Sequence, residues 1–202
     1  MQKLNISGEI RETTGKVANK KLRASGIIPA VIYGGEENIN FTTTREEVKS
    51  IVYTPDFKLA VIELDGNTHE CILKEIQFHP VTDEIVHIDF LRLIPGKMIK
   101  YEVPVKFFGV SPGVKAGGKL MQHLRKVKVK STPEVMVDSL RADISSLKLG
   151  SAIRVRDIET VEGLQIDTHE ATPIAIVEVP RALKDEDEKV EETTVVEEAV
   201  AE

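Results

Sequence analysis

Residues 59–80 have the sequence LAVIELDGNTHECILKEIQFHP, which places a turn between two runs rich in strand-forming residues. The turn, Asp65-Gly66-Asn67, is typical of a tight β-hairpin, because such residues tolerate the positive φ angles that these turns require. Residues 84–94, EIVHIDFLRLI, predict a further strand, in which successive side chains point to opposite faces. The alternation predicts one face with Ile85, His87, Asp89 and Leu91 and another with Val86, Ile88 and Phe90.

Upstream of this hairpin the chain mixes strands with short helices. Residues 4–12, LNISGEIRE, and residues 27–35, IIPAVIYGG, predict strands, the second ending in a Gly-Gly turn. Residues 16–25 predict a helix bounded by Gly15 and Gly26. A second helix is expected after Thr44, which with Glu47 three residues later resembles a capping box.

Downstream, the Pro-Gly pair in IPGK (94–97) interrupts the pattern, and short strands separated by turns follow. The predicted strands include YEVPVKFFGV, KVKVKS, EVMVDS and IAIVEV, with SPGVKAGG (111–118) as a turn and one short helix around Asp143 to Leu149. The fold class is therefore mainly β with short helices (α+β). We expect an N-terminal domain at 1–94, a second, all-β domain at 95–180, and a tail at 181–202.

The predicted tail accounts for the net charge of the chain. Residues 181–202 contain nine acids and three bases, which equals the net charge of −6 of all 202 residues. This segment is too charged to form a packed core, so it is predicted to be disordered. The remainder is close to neutral, and the acidic total does not exclude a nucleic-acid partner.

Positive charge is concentrated near the N-terminus. Residues 9–34, together with Lys3, contain six cations and two acids. Lys16, Lys20 and Arg23 have the i, i+4, i+7 spacing that places side chains along one face of a helix. Such a stripe indicates a polyanion site, and RNA is the abundant intracellular polyanion. A solvated helix surface is the alternative that charge alone leaves open.

Other kinds of function receive less support from the sequence. The chain has no apolar run of membrane-spanning length and no signal-peptide core, so we expect a cytoplasmic protein. Cys71 is the only cysteine, which excludes an internal disulfide and a C-x-x-C metal site. Cys71 and His69 suggest a hydrolase with a cysteine nucleophile, although a half-buried cysteine on a strand, without a catalytic role, is the simpler interpretation. His79, His87 and Asp89 could form a metal triad, but nothing fixes their geometry, and we predict no metal or other cofactor. Residues 111–119, SPGVKAGGK, lack P-loop spacing and are not expected to open a helix.

Several motifs in a fixed order resemble a known family. They are RETTGKVANKKLRASGIIPAVIYGG (11–35), LKEIQFHPVTDEIVHIDFLRL (73–93), and a second half with VPVKFFGVSPGVKAGGKLMQHLRKVKVKSTPEVMVDSL (103–140) and ISSLKLGSAIRVRDI (144–158). They resemble the bacterial large-subunit ribosomal protein family L-twenty-five, in its longer CTC or general-stress form. The resemblance implies a six-stranded-type β-barrel that binds 5S rRNA near loop E. It also implies a structural constituent of the cytoplasmic ribosome, with no enzymatic activity, no small-molecule substrate and no membrane partner.

The resemblance also implies which residues contact RNA. Val17 stands where many relatives have glycine, Lys20 and Lys21 stand where arginines are common, and Glu12 replaces a base of some relatives. Lysine keeps the charge but loses the bidentate fork of arginine. The implied contacts are Arg11, Lys16, Asn19, Lys20, Lys21, Arg23, Tyr33, Gln77, His79, His87 and Asp89.

A second basic run lies in the C-terminal half. On KVKVK, the lysines are predicted to alternate outward from Val127 and Val129, which suits rRNA, a neighbouring protein or a solvated strand face. The main alternative for the whole chain is a stress-related interaction module acting off the ribosome. The run consists of Lys115, Lys119, Arg125, Lys126, Lys128 and Lys130.

Overall fold

The fold is described from a computed structural model. The structure describes residues 1–35, 37–159 and 161–180, so the predicted tail lies outside the described residues. Within the described ranges, no helix combines the length and the apolar character needed to cross a membrane. Two compact units are present. One comprises residues 1–104, 128–139 and 161–167, and the other residues 105–127, 140–159 and 168–180. The division at residue 95 stays a prediction.

The first unit contains a closed six-stranded barrel, as the predicted fold class requires. Its strands are β1 (Lys3–Ile10), β2 (Ile27–Tyr33), β3 (Ile39–Thr44), β4 (Leu59–Leu64), β5 (Asn67–Phe78) and β6 (Ile85–Arg92), with helices α1 (Lys16–Ala24) and α2 (Arg45–Val52). The strand order is β1-β3-β2-β6-β5-β4, and β1 closes the barrel by pairing parallel with β4. Helix α1 packs against β2, whereas α2 packs against β1 and β3.

The hairpin predicted at residues 65–67 is confirmed. Leu64 pairs with Asn67, so the loop between β4 and β5 has only Asp65 and Gly66. Both have positive φ, 47° and 82°, which is the requirement of a type I′ turn. The right-handed twist of this turn matches that of the strands, and it sets the register of the β4–β5 hairpin.

The barrel interior is packed with aliphatic side chains and two aromatic rings. The rings of Phe41 and Phe90 are fully buried, with centroids 5.9 Å apart. The backbone of Gly8 approaches this core closely, because a Cβ there would lie 2.7 Å from Phe41 Cδ2 and 2.8 Å from Thr42 O. A side chain at position 8 would therefore force β1 away from β3.

The predicted faces of β6 are partly wrong. His87 and Asp89 share one face and Ile88 and Phe90 share the opposite, buried face, as predicted, but Ile85, which was predicted on the face of His87 and Asp89, is buried. The register shifts at this point, since Gln77 pairs with His87 and Phe78 with Ile85. This β-bulge inserts one extra residue and turns Ile85 into the core.

The capping box predicted at the start of α2 is also not formed. Thr44 is the N-cap residue, but its side chain makes no capping hydrogen bond. Glu47 Oε2 instead accepts a hydrogen bond from the backbone N of Ser7, at 3.3 Å. The carboxylate thus ties α2 to β1 rather than to its own N-terminus.

Beyond the barrel, the described chain is again mainly β. Its elements are β7 (Ile99–Phe108), α3 (Pro112–Lys115), β8 (Lys119–Gln122), β9 (Lys126–Ser131), β10 (Leu140–Asp143), β11 (Ala152–Arg154), β12 (Gln165–Ile166) and β13 (Pro173–Glu178). One sheet has the strand order β10-β7-β9-β12, and a second sheet has the order β11-β13-β8.

Three local predictions in this half are wrong. The segment predicted as a turn that opens no helix contains α3, because Ser111 Oγ accepts a hydrogen bond from Val114 N and Pro112 occupies the first turn. EVMVDS is not a strand: a 3₁₀ turn covers Pro133–Val135, and Val137 N donates to a tyrosine hydroxyl instead of a neighbouring strand. No helix forms at 143–149, since Ser145 N donates to Asp143 Oδ1 at 2.8 Å in a side-chain turn.

Candidate nucleic-acid interface

Helix α1 carries the cationic stripe that the sequence predicts. None of its nine residues is buried, and Lys16, Lys20 and Arg23 are all exposed. Lys21 is exposed too, but a helix turns by about 100° per residue, so it lies on a different side from those three cations. The structure therefore groups Lys16, Lys20 and Arg23 and separates Lys21 from them.

Two hydrogen bonds attach α1 to the barrel. Arg23 Nε donates to the backbone oxygen of Val86 in β6, at 3.0 Å. Arg11 Nη1, just after β1, donates to Asn19 Oδ1 at 2.5 Å. Because a helix of this length is only marginally stable alone, these contacts and the packing on β2 hold it in place. The barrel thus holds the helix that carries the cations in one orientation.

Arg11 lies where its charge is poorly solvated. Partial burial, and secondarily the positive charge of Arg23, lower the pKa of Arg11 from its usual value. Its Nε atom is buried and has no hydrogen-bond partner within the described part of the chain. The charges of the two neighbouring guanidinium groups form a favourable environment for an anion such as a phosphate.

A polar face lies on the outside of β2, β5 and β6. Gln77 pairs with His87 across β5 and β6, and Glu75 pairs with Asp89. His87 Nδ1 and Asp89 Oδ1 are 2.6 Å apart. Burial, followed by the nearby carboxylates of Asp89 and Glu75, raises the pKa of Tyr33 above its usual value. The phenol therefore remains a hydrogen-bond donor at neutral pH. We call Tyr33, Glu75, Gln77, His87 and Asp89 the polar face.

His79 lies beyond β5, in the turn before β6. Its Nδ1 accepts hydrogen bonds from Val81 N at 3.4 Å and Thr82 N at 3.3 Å. In the neutral tautomers that these contacts favour, His79 carries its N–H on Nε2, whereas His87 carries its N–H on Nδ1, toward Asp89, and has Nε2 as an acceptor. The two histidines therefore offer opposite hydrogen-bonding groups.

Sequence reasoning missed two residues near this surface. Glu75 is two residues before Gln77 on the same strand, so the period-two pattern contained the signal that could have found it. Arg45, at the start of α2, lies beside Arg23 and His79 around a common cleft. Its position depends on tertiary packing, and no local pattern indicates it.

Comparison with known proteins gives matches over nearly the whole chain. Residues 6–90 match the model of the Ribosomal L25p family, and residues 98–181 match that of the ribosomal protein TL5 C-terminal domain. The large ribosomal subunit protein bL25 of Cytophaga hutchinsonii is 37% identical over 187 residues, covering 93% of this chain and 97% of the relative. The bL25 protein of Amoebophilus asiaticus is 40% identical over 184 residues, covering 91% and 93%.

The chain belongs to the Ribosomal L25p family. A third relative, bL25 of Porphyromonas gingivalis, is 40% identical over 186 residues, covering 91% of this chain and 96% of the relative. Membership confirms the resemblance found in the sequence. Because the family consists of ribosomal structural proteins, membership also confirms the prediction that the chain is not an enzyme. All eleven predicted RNA contacts fall inside the segment that matches the L25p model.

The cysteine of this L25p-family chain has the properties of a core residue. Cys71 is fully buried in the barrel, and burial raises the pKa of its thiol to about 12. A thiolate nucleophile is not available under such conditions. His69 Nδ1 is also buried and unpartnered among the described residues, and burial lowers the pKa of His69. The hydrolase hypothesis therefore finds no support in the geometry. Nor do the described residues contain a group of three or more His, Cys, Asp or Glu that could hold a metal ion.

The second basic run alternates as predicted along β9. Val127 and Val129 are buried, Lys126 and Lys128 are exposed, and Lys130 is half-buried. Lys130 forms an ion pair with Asp167, which also accepts a hydrogen bond from Lys100 at 3.3 Å. The hydrogen bond from Lys130 makes the largest contribution to lowering the pKa of Asp167, and the hydrogen bond from Lys100 lowers that pKa further.

Proposed function

We propose that this chain is a structural constituent of the large ribosomal subunit that binds the loop E region of 5S rRNA. The observation that carries the proposal is the attachment of the cationic helix α1 to β6, beside the polar face, by the Arg23–Val86 hydrogen bond. The proposed contacts are Arg11, Lys16, Asn19, Lys20, Lys21, Arg23, Tyr33, Gln77, His79, His87 and Asp89. We further propose that the protein acts on the cytoplasmic ribosome and that residues 95–180 contact neighbouring subunit components.

The two parts of the surface supply different kinds of binding energy. Lysine and arginine on α1 neutralise phosphates and release counterions, which gives affinity without choice of sequence. Choice comes from His79 and from the polar face, where an amide, a phenol, an imidazole and two carboxylates can bond to base edges. The narrow major groove of regular A-form RNA excludes such side chains, so an irregular internal loop is the RNA structure that fits.

The test is direct binding of the purified full chain to two RNAs across a range of salt. One is a loop E fragment, and the other is a fully paired duplex of equal length. With about four to six phosphate contacts, log K is expected to fall against log salt with a slope of about −3 to −5. The loop is expected to bind more tightly than the duplex at every salt concentration.

Variants separate the proposed site from general charge. Lys20→Ala with Arg23→Ala is expected to weaken binding to the loop E fragment, because both cations leave α1. The control replaces the exposed cations Lys49 and Lys97 by alanine, which removes the same charge elsewhere in the barrel unit. Equal binding of both RNAs by the wild-type protein, or equal losses in the two double variants, would contradict the proposal.

A further inference from the structure

A cleft of about 340 Å³ opens at the C-terminal end of α1. Five segments surround it: the end of α1, the start of β2, the first residue of α2, the turn between β5 and β6, and the start of β6. Sites for small ligands range from about 300 to 1,000 Å³, so this cleft has room for one small group and not for a larger one.

The cleft combines an aliphatic lining with polar groups. Ile27, Ile28 and Ile85 supply apolar surface, and Arg23, Arg45, His79 and Glu84 supply charge and hydrogen-bonding groups. Two guanidinium groups against one carboxylate leave one net positive charge while His79 is neutral. This charge matches a single phosphodiester, and the apolar surface matches the faces of a base.

The polar groups are held in position before any ligand arrives. His79 N donates to Glu84 O at 2.8 Å, which closes the turn, and the Nδ1 contacts fix Nε2 as the donor of the neutral ring. Glu84 Oε2 accepts a hydrogen bond from Thr82 Oγ1 at 3.3 Å. Arg23 Nε is fixed by Val86 O, which leaves its planar guanidinium available for stacking. Little ordering entropy would be lost when a ligand binds.

We propose that this cleft receives one unstacked nucleotide of the RNA bound by α1. The base lies between the isoleucines and the Arg23 guanidinium, His79 Nε2 donates to its edge, the Glu84 carboxylate accepts from it, and Arg45 contacts the phosphate. Proteins recognise RNA chiefly by such splayed bases, stacked on aromatic or arginine planes. Arg23 belongs to both the stripe and the cleft, which makes the cleft continuous with the proposed RNA surface. This inference rests on the proposed function.

The experiment replaces each unpaired nucleotide of the loop E fragment, one at a time, by an abasic residue. At one position the wild-type chain is expected to lose about tenfold in affinity, as removal of one stacked base predicts. Ala24→Leu adds bulk inside the cleft without changing charge. It is expected to lose about tenfold on the intact fragment and nothing further at that abasic position.

Matched variants control for added bulk and for charge. Val161→Leu enlarges an apolar side chain that is 48% exposed and lies outside both α1 and the cleft, and it is expected to bind like the wild type. Arg45→Gln is expected to weaken binding more than Lys49→Gln, although both remove one charge from α2. This second pair decides the question if thermal unfolding shows that Ala24→Leu does not fold.

The outcomes distinguish the cleft from the proposed function. If loop E still binds in preference to the duplex but no abasic position matters, or if Ala24→Leu folds and binds like the wild type, the cleft holds no nucleotide. Equal effects of Arg45→Gln and Lys49→Gln would likewise overturn it. If the wild-type chain shows no preference for loop E at all, the proposed function itself is wrong.

Discussion

The replacement of Arg23 by lysine separates the charge of the side chain from its placement. In the free protein, the Arg23 Nε–Val86 O hydrogen bond of 3.0 Å holds the guanidinium beside β6. Lysine retains the positive charge but has neither the Nε donor nor the planar fork. Its side chain is therefore mobile in the free protein and must be immobilised when RNA binds.

The expected cost follows from that immobilisation. Ordering one flexible side chain on binding costs about 0.5–1.5 kcal/mol, which corresponds to a loss of about two- to thirteen-fold in affinity. Because the charge is unchanged, the slope of log K against log salt should equal that of the wild type. Arg23→Ala removes the charge, so its slope should be smaller in magnitude by about 0.7–0.9.

The assay is fluorescence anisotropy with the labelled loop E fragment over a series of KCl concentrations. Lys20→Arg is the matched control, since it also replaces one type of cationic side chain on α1 by the other. This variant should neither lose affinity nor change the slope of log K against log salt. The reasoning is refuted if Arg23→Lys binds as tightly as the wild type. It is equally refuted if the slopes of Arg23→Lys and Arg23→Ala are the same.

Three further predictions concern the barrel unit. Phe90→Ala should lower the free energy of unfolding by about 3–5 kcal/mol in urea denaturation, because it leaves a cavity in the core, while Phe78→Ala, at a side chain that is 45% exposed, should cost much less. The free energy of unfolding of the wild type should exceed that of Asp167→Asn near neutral pH, and the difference should disappear in acid. The reason is that Lys130 and Lys100 lower the pKa of the Asp167 carboxyl, whose stabilising contribution is lost as pH falls through that pKa. A difference that persists in strong acid would contradict the ion-pair explanation. Cys71 should resist iodoacetamide at about pH 8 in the folded chain and react after unfolding in urea, so rapid labelling of the native protein would show that the thiol is not buried.

Local chemistry was sufficient to predict the elements that depend on neighbours in sequence. The positive φ angles of Asp65 and Gly66 follow from the residues at the turn, and the grouping of Lys16, Lys20 and Arg23 follows from helical periodicity alone. The closed barrel, by contrast, was expected from the resemblance to the family. Strand alternation indicates that faces exist, but it does not indicate that β1 pairs with β4 to close a sheet.

The wrong predictions have tertiary causes. Glu47 satisfies a backbone N–H of β1 instead of its own helix, and the extra residue in β6 turns Ile85 into the core. In both cases the sequence permits two local arrangements, and packing against a distant strand selects one. Arg45 was missed for the same reason, because it reaches the cleft only when α2 is placed by β1 and β3.

The closure of the barrel through β1 has a consequence for synthesis of the chain. β1 is made first, yet its partners β3 and β4 are completed only at Thr44 and Leu64. Until then the backbone N–H and C=O groups of β1 form an open edge, which can pair with other nascent chains. A chain halted before Leu64 would expose this edge continuously, and pairing across so many residues is slow to form. Both edges of β1 are therefore paired only after the fourth strand has been added.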